Sequence, residues 1–346
     1  MLTSPEMAVG ANLVFARIFA RCDVNATATE NNPIIGRFAP SPTGPLHLGS
    51  LVAALGSYLV AKSAGGRWLL RMEDLDLPRV VPGIADDMLC TLETLGFEWD
   101  GEVLYQSRRS EYYRAAAQEL IRRGLAYACG CTRSEIAQLA SAPHEEGLIY
   151  PGICREGLPP EKVERALRVK VYDEVISFDD GIMGHYSQHL TASCGDFVIH
   201  RADGPYAYHL AVVVDDAASG VNQVVRGADL LSSTPRQMYL QRIFDYPTPC
   251  YGHLPLVTGP EGAKLSKRDH AVSLAAGRDL VQEGGTLLLS ALRFLGQKTS
   301  ADLKGAPPAE ILRWAVANFE ISAIPRGSGQ FEPTASQKLP AESPLP

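Results

Sequence analysis

The stretch from residue 36 to residue 50 places residues that could bind phosphate in a loop rich in glycine and proline. It reads Gly-Arg-Phe-Ala-Pro-Ser-Pro-Thr-Gly-Pro-Leu-His-Leu-Gly-Ser. His47 could donate a hydrogen bond to a phosphate oxygen, and Gly49 has no side chain to block a closely packed nucleotide base. The same loop could instead be a purely structural turn, because such loops end strands in many proteins.

A second stretch, residues 262–268, places three cations within five positions of a loop of small residues. The cations are Lys264, Lys267 and Arg268. This composition suits a mobile loop that closes over a polyphosphate. Its presence shifts the interpretation of the first stretch from a structural turn towards a nucleotide site.

An acidic cluster follows the strand predicted over residues 67–72. Glu73 could hold an ammonium group, because the carboxyl end of a central strand faces the same crevice as the first loop. Asp74 or Asp76 could simply cap the turn before Pro78. From the residues alone, capping is the favoured interpretation of the cluster.

Two arginines could bind carboxylates in that crevice. Arg226 follows an apolar strand predicted over residues 221–225 and could form two parallel hydrogen bonds with one carboxylate. Together with Arg37 it supplies two cations, which suits an amino acid that has two carboxylates. An amino acid with an amide in place of the second carboxylate, such as glutamine, would leave one of these charges buried and unpaired. The sequence leaves open which arginine binds which carboxylate.

Three cysteines lie in a loop-rich segment that could bind a metal. Cys129 and Cys131 flank one glycine, and Cys154 follows Tyr-Pro-Gly-Ile. Three thiols can chelate zinc tetrahedrally when a fourth ligand joins them, and His144 is the fourth ligand that chemistry alone favours. Three buried structural cysteines are the alternative.

Alternating strands and helices must position these residues, and the alternation predicts an α/β fold with a doubly wound parallel sheet. The first strand is predicted over 34–39 and its helix over about 47–64, which puts His47 on the electropositive first helical turn. The pattern breaks after residue 128. Alternating valines over 168–179 then predict a largely antiparallel inserted subdomain.

With both loops in view, the chain resembles the class I aminoacyl-tRNA synthetases. His-Leu-Gly-Ser at 47–50 and Lys-Leu-Ser-Lys-Arg at 264–268 look like their two signature motifs, in the family's order. The longer string at 37–49 is specifically similar to the glutamyl branch. The resemblance implies a Rossmann-like catalytic domain that activates L-glutamate with ATP, and Mg²⁺ that arrives with the ATP.

The resemblance also implies roles for individual residues. It makes His47, Lys264 and Lys267 catalytic contacts of the phosphates, and Gly49 a further residue of the ATP site. The tyrosine at position 208, which the residues alone would assign to core packing, becomes a substrate contact. The implied glutamate-binding residues are Arg37, Phe38, Ala39, Pro40, Ser41, Glu73, Tyr208 and Arg226.

The cysteine segment is similar to that of the glutamyl-queuosine tRNA(Asp) synthetases, which are truncated paralogues of the glutamyl enzymes. These carry Cys-x-Cys followed by Tyr-x-x-x-Cys, which matches Cys129, Cys131, Tyr150 and Cys154. The resemblance thus makes the phenol of Tyr150 the fourth ligand of one structural Zn²⁺. The segment before Tyr150 is longer than we expect for these proteins, so His144 stays a rival.

The segment after the second motif points to the same paralogues. About eighty residues follow Arg268, fewer than a typical domain, whereas ordinary glutamyl-tRNA synthetases carry a large helical anticodon-binding region there. We therefore expect tRNA-independent activation of glutamate and its transfer to the queuosine base at the wobble position of tRNA(Asp). The alternatives are a minimal glutamyl-tRNA synthetase that charges tRNA(Glu) and a non-catalytic RNA-binding paralogue.

The composition is that of an ordinary soluble protein and bounds the partners. The 346 residues contain no apolar run long enough to span a membrane, and the net charge is −7. RNA must therefore meet a local basic face, although a solvated helix face is the favoured interpretation of the arginines at 108, 109, 114, 122 and 123. Seven cysteines without obvious pairing predict a reducing, cytoplasmic location, and we expect a monomer.

The predicted organisation has six parts. They are an N-terminal extension (1–33), the first half of the catalytic domain (34–128), an inserted zinc-binding and acceptor-type subdomain (129–194), the second half of the catalytic domain (195–260), the lysine loop with a helical stem (261–323) and a disordered tail (324–346). The N-terminal extension is either disordered or the product of a start codon placed too early.

Overall fold

A computed structural model of the chain describes residues 33–139, 143–144, 147–258, 273–275 and 277–331, without the side chains of 139, 143, 144 and 147. Lys264, Lys267 and the side chain of His144 lie outside this description, as does nearly all of the predicted N-terminal extension.

Short strands and longer helices alternate along the described chain. The strands are β1 (Ile35–Phe38), β2 (Arg67–Met72), β3 (Leu104–Tyr105), β4 (Ala126–Cys129), β5 (Pro143–His144), β6 (Gly147–Leu148), β7 (Ala166–Val169), β8 (Val175–Asp180), β9 (Gly184–His189), β10 (Val198–His200), β11 (Gln223–Gly227), β12 (Cys250–Leu254), β13 (Val257–Thr258) and β14 (Gly329–Gln330). The helices are α1 (Leu48–Ser63), α2 (Ile84–Thr94), α3 (Ser110–Arg122), α4 (Arg133–Leu139), α5 (Leu190–Ser193), α6 (Tyr208–Ala218), α7 (Thr234–Ile243), α8 (Leu280–Phe294) and α9 (Pro308–Asn318).

A parallel sheet forms the framework of the fold, as the alternation predicts. Strands β1, β2 and β3 pair in parallel in that order, and β11 pairs in parallel with β12. Strand β11 lies beside β1, because the amide of Asn222 donates to the carbonyl of Ile35 over 3.1 Å. The carboxyl ends of these strands therefore share one edge of the sheet.

The two faces of this sheet bury different residues, because neighbouring positions of a strand point in opposite directions. Phe38 and its register partner Leu70 belong to a large apolar core that includes helices α1, α8 and α9. Helix α1 approaches β12 closely, since a Cβ atom on Gly56 would lie 2.5 Å from Leu254. The opposite face carries Arg37 and, further along the sheet, Arg226.

The segment between the halves of the parallel sheet is antiparallel, which confirms that prediction. Strand β7 lies between β4 and β10 and is antiparallel to both, and β8 and β9 form an antiparallel hairpin. A second apolar core joins these strands to helices α3, α6 and α7. Strand β4 ends at Cys129, so the strand delivers the first cysteine of the predicted metal site.

The structure corrects two predictions of local structure. A serine before an amphipathic stretch predicts that Ser107 caps the helix that reaches residue 123, but α3 begins at Ser110, and Ser107 donates its amide and hydroxyl hydrogens to Asp74. The predicted disordered tail begins too early, because Ile324 and Phe331 are buried in the large core and β14 pairs with β13. Both errors come from contacts between residues far apart in the chain.

The arginines of α3 pair with neighbouring acids. Arg114 lies 3.0 Å from Glu111, and Arg122 lies 2.7 Å from Glu119, on an exposed face. This arrangement agrees with a solvated helix face rather than a basic patch reserved for RNA. None of the described helices combines the length and the apolar character that crossing a bilayer requires.

Candidate functional site

A cavity of about 370 Å³ lies at the carboxyl ends of β1, β2, β11 and β12. This is where open parallel sheets bind ligands. It brings together every described residue that the resemblance assigns to glutamate or ATP. These are Arg37, Phe38, Ala39, Pro40, Ser41, His47, Gly49, Glu73, Tyr208 and Arg226.

His47 is held at the start of α1 by a hydrogen bond that fixes the tautomer of its neutral ring. It is the N-cap residue of the helix, and its Nδ1 accepts a hydrogen bond of 3.3 Å from the amide of Ser50. Because Nδ1 is the acceptor, a neutral ring carries its hydrogen on Nε2. A Cβ atom on Gly49 would lie 3.0 Å from Cε1 of His47, so this glycine also leaves room for the imidazole.

Arg37 belongs to a buried cluster of alternating charge. The carboxylate of Asp216 accepts hydrogen bonds from Arg37 over 3.3 Å and from Arg71 over 2.7 Å. These three side chains are at most 4% exposed. Burial alone would raise the pKa of Asp216, but the two guanidinium groups outweigh it and hold this pKa below its ordinary value.

Glu73 completes this cluster at the cavity wall. Its carboxylate lies 3.4 Å from Arg71 and is 11% exposed. Burial raises the pKa of Glu73 even though Arg71 and Arg37 lie near enough to oppose the shift. A cation that binds beside Glu73 would therefore favour its charged form.

Arg226 has a different set of partners. Its guanidinium donates to His253, Gln237 and Thr234 over 3.1, 2.8 and 2.8 Å. Longer contacts reach the hydroxyl of Tyr208 and the carbonyl of Leu230. All of these acceptors in the described part of the chain are uncharged, so no carboxylate of this part directly neutralises Arg226.

A second buried pair holds His253 in place. Nδ1 of His253 lies 2.5 Å from the carboxylate of Asp180, and both side chains are fully buried. Since Nε2 accepts from Arg226, the hydrogen of a neutral ring is on Nδ1 and points at Asp180. Burial lowers the pKa of His253, which keeps the ring in this neutral form.

The cysteines form a separate sulfur cluster, defined here as Cys129, Cys131, Cys154 and Tyr150. The three sulfur atoms lie within 4.8 Å of one another. The hydroxyl oxygen of Tyr150 lies 3.4 Å from Cys129 and 3.6 Å from Cys131. Zinc–sulfur bonds of about 2.3 Å place tetrahedral sulfur ligands about 3.8 Å apart, so the cluster has the dimensions of a zinc site.

Hydrogen bonds in this cluster favour a thiolate at one position. Burial opposes ionisation of Cys129, but hydrogen bonds with Tyr150, with the amide of Cys131 and with Arg168 outweigh it and lower its pKa. Burial raises the pKa of Cys131 to about 11. A divalent metal would therefore be needed to hold all three sulfurs as thiolates together.

Several residues of the site were missed by the sequence analysis. Arg71 and Asp216 tie Arg37 in place, and Asp180 and His253 hold Arg226. A charged residue inside the apolar run Trp-Leu-Leu-Arg-Met was a signal that could have identified Arg71.

Comparisons with known proteins agree with this geometry. A family model described as tRNA synthetases class I (E and Q), catalytic domain, matches residues 33–304. A protein of Geobacter sulfurreducens named glutamyl-Q tRNA(Asp) synthetase is 63% identical over 306 residues, which are 88% of this chain and 98% of that protein. A protein of the same name from Dechloromonas aromatica is 53% identical over 299 residues, covering 86% of this chain and 98% of its own.

A solved structure supports the same assignment. The glutamate tRNA ligase of Elizabethkingia meningosepticum, in complex with its amino acid, matches with a TM-score of 0.70 at 28% identity and covers 87% of this chain and 67% of that one. Because the family model matches most of the chain and the two relatives cover 88% and 86% of it, the chain belongs to the class I glutamyl- and glutaminyl-tRNA synthetase family and is a ligase of the aminoacyl-tRNA synthetase type.

Proposed function

We propose that this protein activates L-glutamate with ATP in the absence of tRNA and transfers it to the queuosine base of tRNA(Asp). The observation that carries the proposed activation of L-glutamate is the shared cavity. This cavity contains Glu73, a candidate for binding the ammonium group, and two buried arginines, Arg37 and Arg226. The names of the relatives from Geobacter and Dechloromonas support the proposed transfer to tRNA(Asp).

The amino-acid subsite uses charge of both signs. Glu73 binds the ammonium group of the substrate, and the main chain and side chains of 38–41 line the same wall. Arg226 binds a carboxylate with the help of Tyr208, because its own protein contacts in the described chain are neutral. Glutamine would bind less well, since its amide cannot neutralise the buried guanidinium.

The activation step needs orientation more than acid or base catalysis. A carboxylate oxygen of glutamate attacks the α-phosphorus of ATP in line, and the bond from that phosphorus to pyrophosphate breaks. His47 donates from Nε2 to a phosphate oxygen, and Gly49 leaves room for the base. Lys264 and Lys267 contribute positive charge to the leaving phosphates, and Mg²⁺ accompanies the ATP.

The transfer step completes the reaction at the activated carbonyl. A hydroxyl oxygen of the queuosine base attacks the carbonyl carbon and releases its proton to solvent, and AMP leaves as the bond between the carbonyl carbon and the phosphate oxygen breaks. The anticodon loop must then enter the cavity that bounds the adenylate.

One structural Zn²⁺ would be held by Cys129, Cys131, Cys154 and Tyr150. The donor set of three sulfurs and one phenol fits zinc, and its four protein ligands leave no open coordination position for catalysis. The metal would stabilise the antiparallel insertion between the two halves of the parallel sheet.

The function is tested in two stages with one preparation of the full chain. We expect exchange of pyrophosphate into ATP that depends on glutamate, does not occur with glutamine and does not require tRNA. We then expect labelled glutamate to appear on tRNA(Asp) that carries queuosine, and on neither queuosine-free tRNA(Asp) nor tRNA(Glu). Labelling of tRNA(Glu) would identify a minimal glutamyl-tRNA synthetase instead, and absence of exchange would identify a non-catalytic paralogue.

A further inference from the structure

Arg168 lies on β7, beside the sulfur cluster, and is buried. Its Nε donates to the sulfur of Cys129 over 3.4 Å. Its guanidinium carbon lies 3.8 Å from the centre of the Tyr150 ring. The guanidinium therefore contacts two of the proposed metal ligands at the same time.

Within the described chain, no carboxylate forms an ion pair with Arg168. Its remaining hydrogen bond goes to the backbone carbonyl of Asp196, over 2.7 Å. The carboxylate of Asp196 is instead used by the hydroxyl of Tyr127, the amide of Val171 and the guanidinium of Arg155. A buried positive charge that lacks an ion-pair partner is unfavourable, so the sulfur cluster is the candidate for its counter-charge.

A metal-loaded sulfur cluster would supply the negative charge that Arg168 lacks. Three thiolates around a divalent cation leave an excess of one negative charge, and a phenolate would add another. This negative charge would lie next to the guanidinium, on the sulfur that accepts its hydrogen bond and on the ring beneath it. A neutral ring and three neutral thiols would leave the charge of Arg168 unbalanced.

We propose that Arg168 is the counter-charge of the metal-bound sulfur cluster and that it strengthens the binding of a divalent, thiol-preferring cation such as Zn²⁺. It acts on the ligands rather than on the metal, as hydrogen-bond donors around metal sites commonly do. The inference does not depend on the acceptor or on the amino acid that the cavity binds.

The proposal predicts that Arg168→Met lowers stability only when zinc is bound, a dependence on the metal that a purely mechanical role would not produce. In the zinc-loaded protein, Arg168→Met removes a favourable counter-charge and should lower the melting temperature. In the zinc-free protein, the same substitution removes an unbalanced buried charge and should leave the melting temperature unchanged or raise it. Both forms are compared in full-length protein, with and without a chelator and under reducing conditions.

Arg155→Met is the matched control, because Arg155 also contacts Asp196 but lies on its carboxylate rather than on a sulfur. We expect this variant to lose stability about equally with and without zinc. Competition with a chromophoric chelator measures zinc affinity directly. Arg168→Met should weaken it about 10- to 100-fold, the range typical of lost outer-sphere contacts, and Arg168→Lys should weaken it less.

Three results would overturn the proposal. One is zinc affinity of Arg168→Met within about twofold of the wild type. Another is an equal loss of stability in the zinc-free and zinc-loaded forms of this variant. The third is a variant that does not fold in either form, since that would make Arg168 a structural link between β4, β7 and β10.

Discussion

The charge cluster of Arg37, Arg71 and Asp216 and the surroundings of Arg226 both bury guanidinium groups, but they balance the charge differently. Arg37 and Arg71 share the carboxylate of Asp216, so this part of the site is neutralised by the protein itself. Arg226 donates only to uncharged acceptors in the described chain. Both arginines are therefore held in position by the protein, but only the charge of Arg37 is neutralised by a carboxylate hydrogen-bonded to it, and we propose that the charge of Arg226 is available to a substrate carboxylate.

The largest effect should come from removing the carboxylate that Arg37 and Arg71 share. Asp216→Asn leaves two buried guanidinium groups without their shared anion, so we predict a loss of about 3–5 kcal/mol in the free energy of unfolding. Denaturant titration measures it. The control Glu111→Gln removes an exposed partner of Arg114 and should change stability by less than about 0.5 kcal/mol. A loss below about 1 kcal/mol in Asp216→Asn would remove the distinction between the two arginines.

The next largest effect should come from replacing Arg226. Arg226→Gln should lower kcat/KM for glutamate by about 100-fold in pyrophosphate exchange, because a charged hydrogen bond to the substrate carboxylate is lost. Stability should fall less than in Asp216→Asn, since no buried carboxylate loses its partner. If exchange is unchanged, Arg226 does not contact the substrate and the comparison fails.

A third effect should be a loss of activity at low pH that depends on Glu73. Burial raises the pKa of this carboxyl in the free protein, and an ammonium group binds only its ionised form. As pH falls through that raised pKa, kcat/KM for glutamate should decline, by up to about tenfold per pH unit, at a higher pH than an ordinary glutamate would cause. In Glu73→Gln we expect a low rate without this inflection. The same inflection in the variant would assign it to another group.

The smallest effect should follow from loosening Arg226 without removing it. In His253→Asn, Nε of Arg226 loses its acceptor, whereas Gln237 and Thr234 still accept from the other two nitrogens of the guanidinium. We predict a rise of about threefold in KM for glutamate, a nearly constant kcat and weaker discrimination against glutamine. Ser290→Ala, in the distant helix α8, is the control. Unchanged discrimination in His253→Asn would show that Arg226 is positioned by its other partners.

Local sequence pattern predicted the framework well. The helix start beside His47 and strand β2 were both predicted within one or two residues, because helix periodicity and turn residues are local signals. The parallel sheet and the antiparallel insertion followed from the order of the elements. The motifs, through the family resemblance, led to the cavity residues.

The partners that hold those residues could not be predicted in this way. Arg71 and Asp216 are 145 positions apart, and His253 and Asp180 are 73 apart. Nothing in the six residues of β2 shows which polar side chain of the distant helix α6 will contact Arg71. Ser107 shows the same limit, because its partner Asp74 lies 33 positions away and prevents it from capping α3.

The pairing of β14 with β13 connects residues 329 and 330 to the wall of the cavity. Gly329 and Gln330 run beside Val257 and Thr258, and Val257 lines the cavity just before the stretch that contains Lys264. Trimming the protein after residue 331 keeps this short ladder, whereas trimming it before residue 329 removes the strand that pairs with β13. Shortened versions made for crystallisation should therefore end beyond Phe331 if they are to keep this wall of the cavity intact.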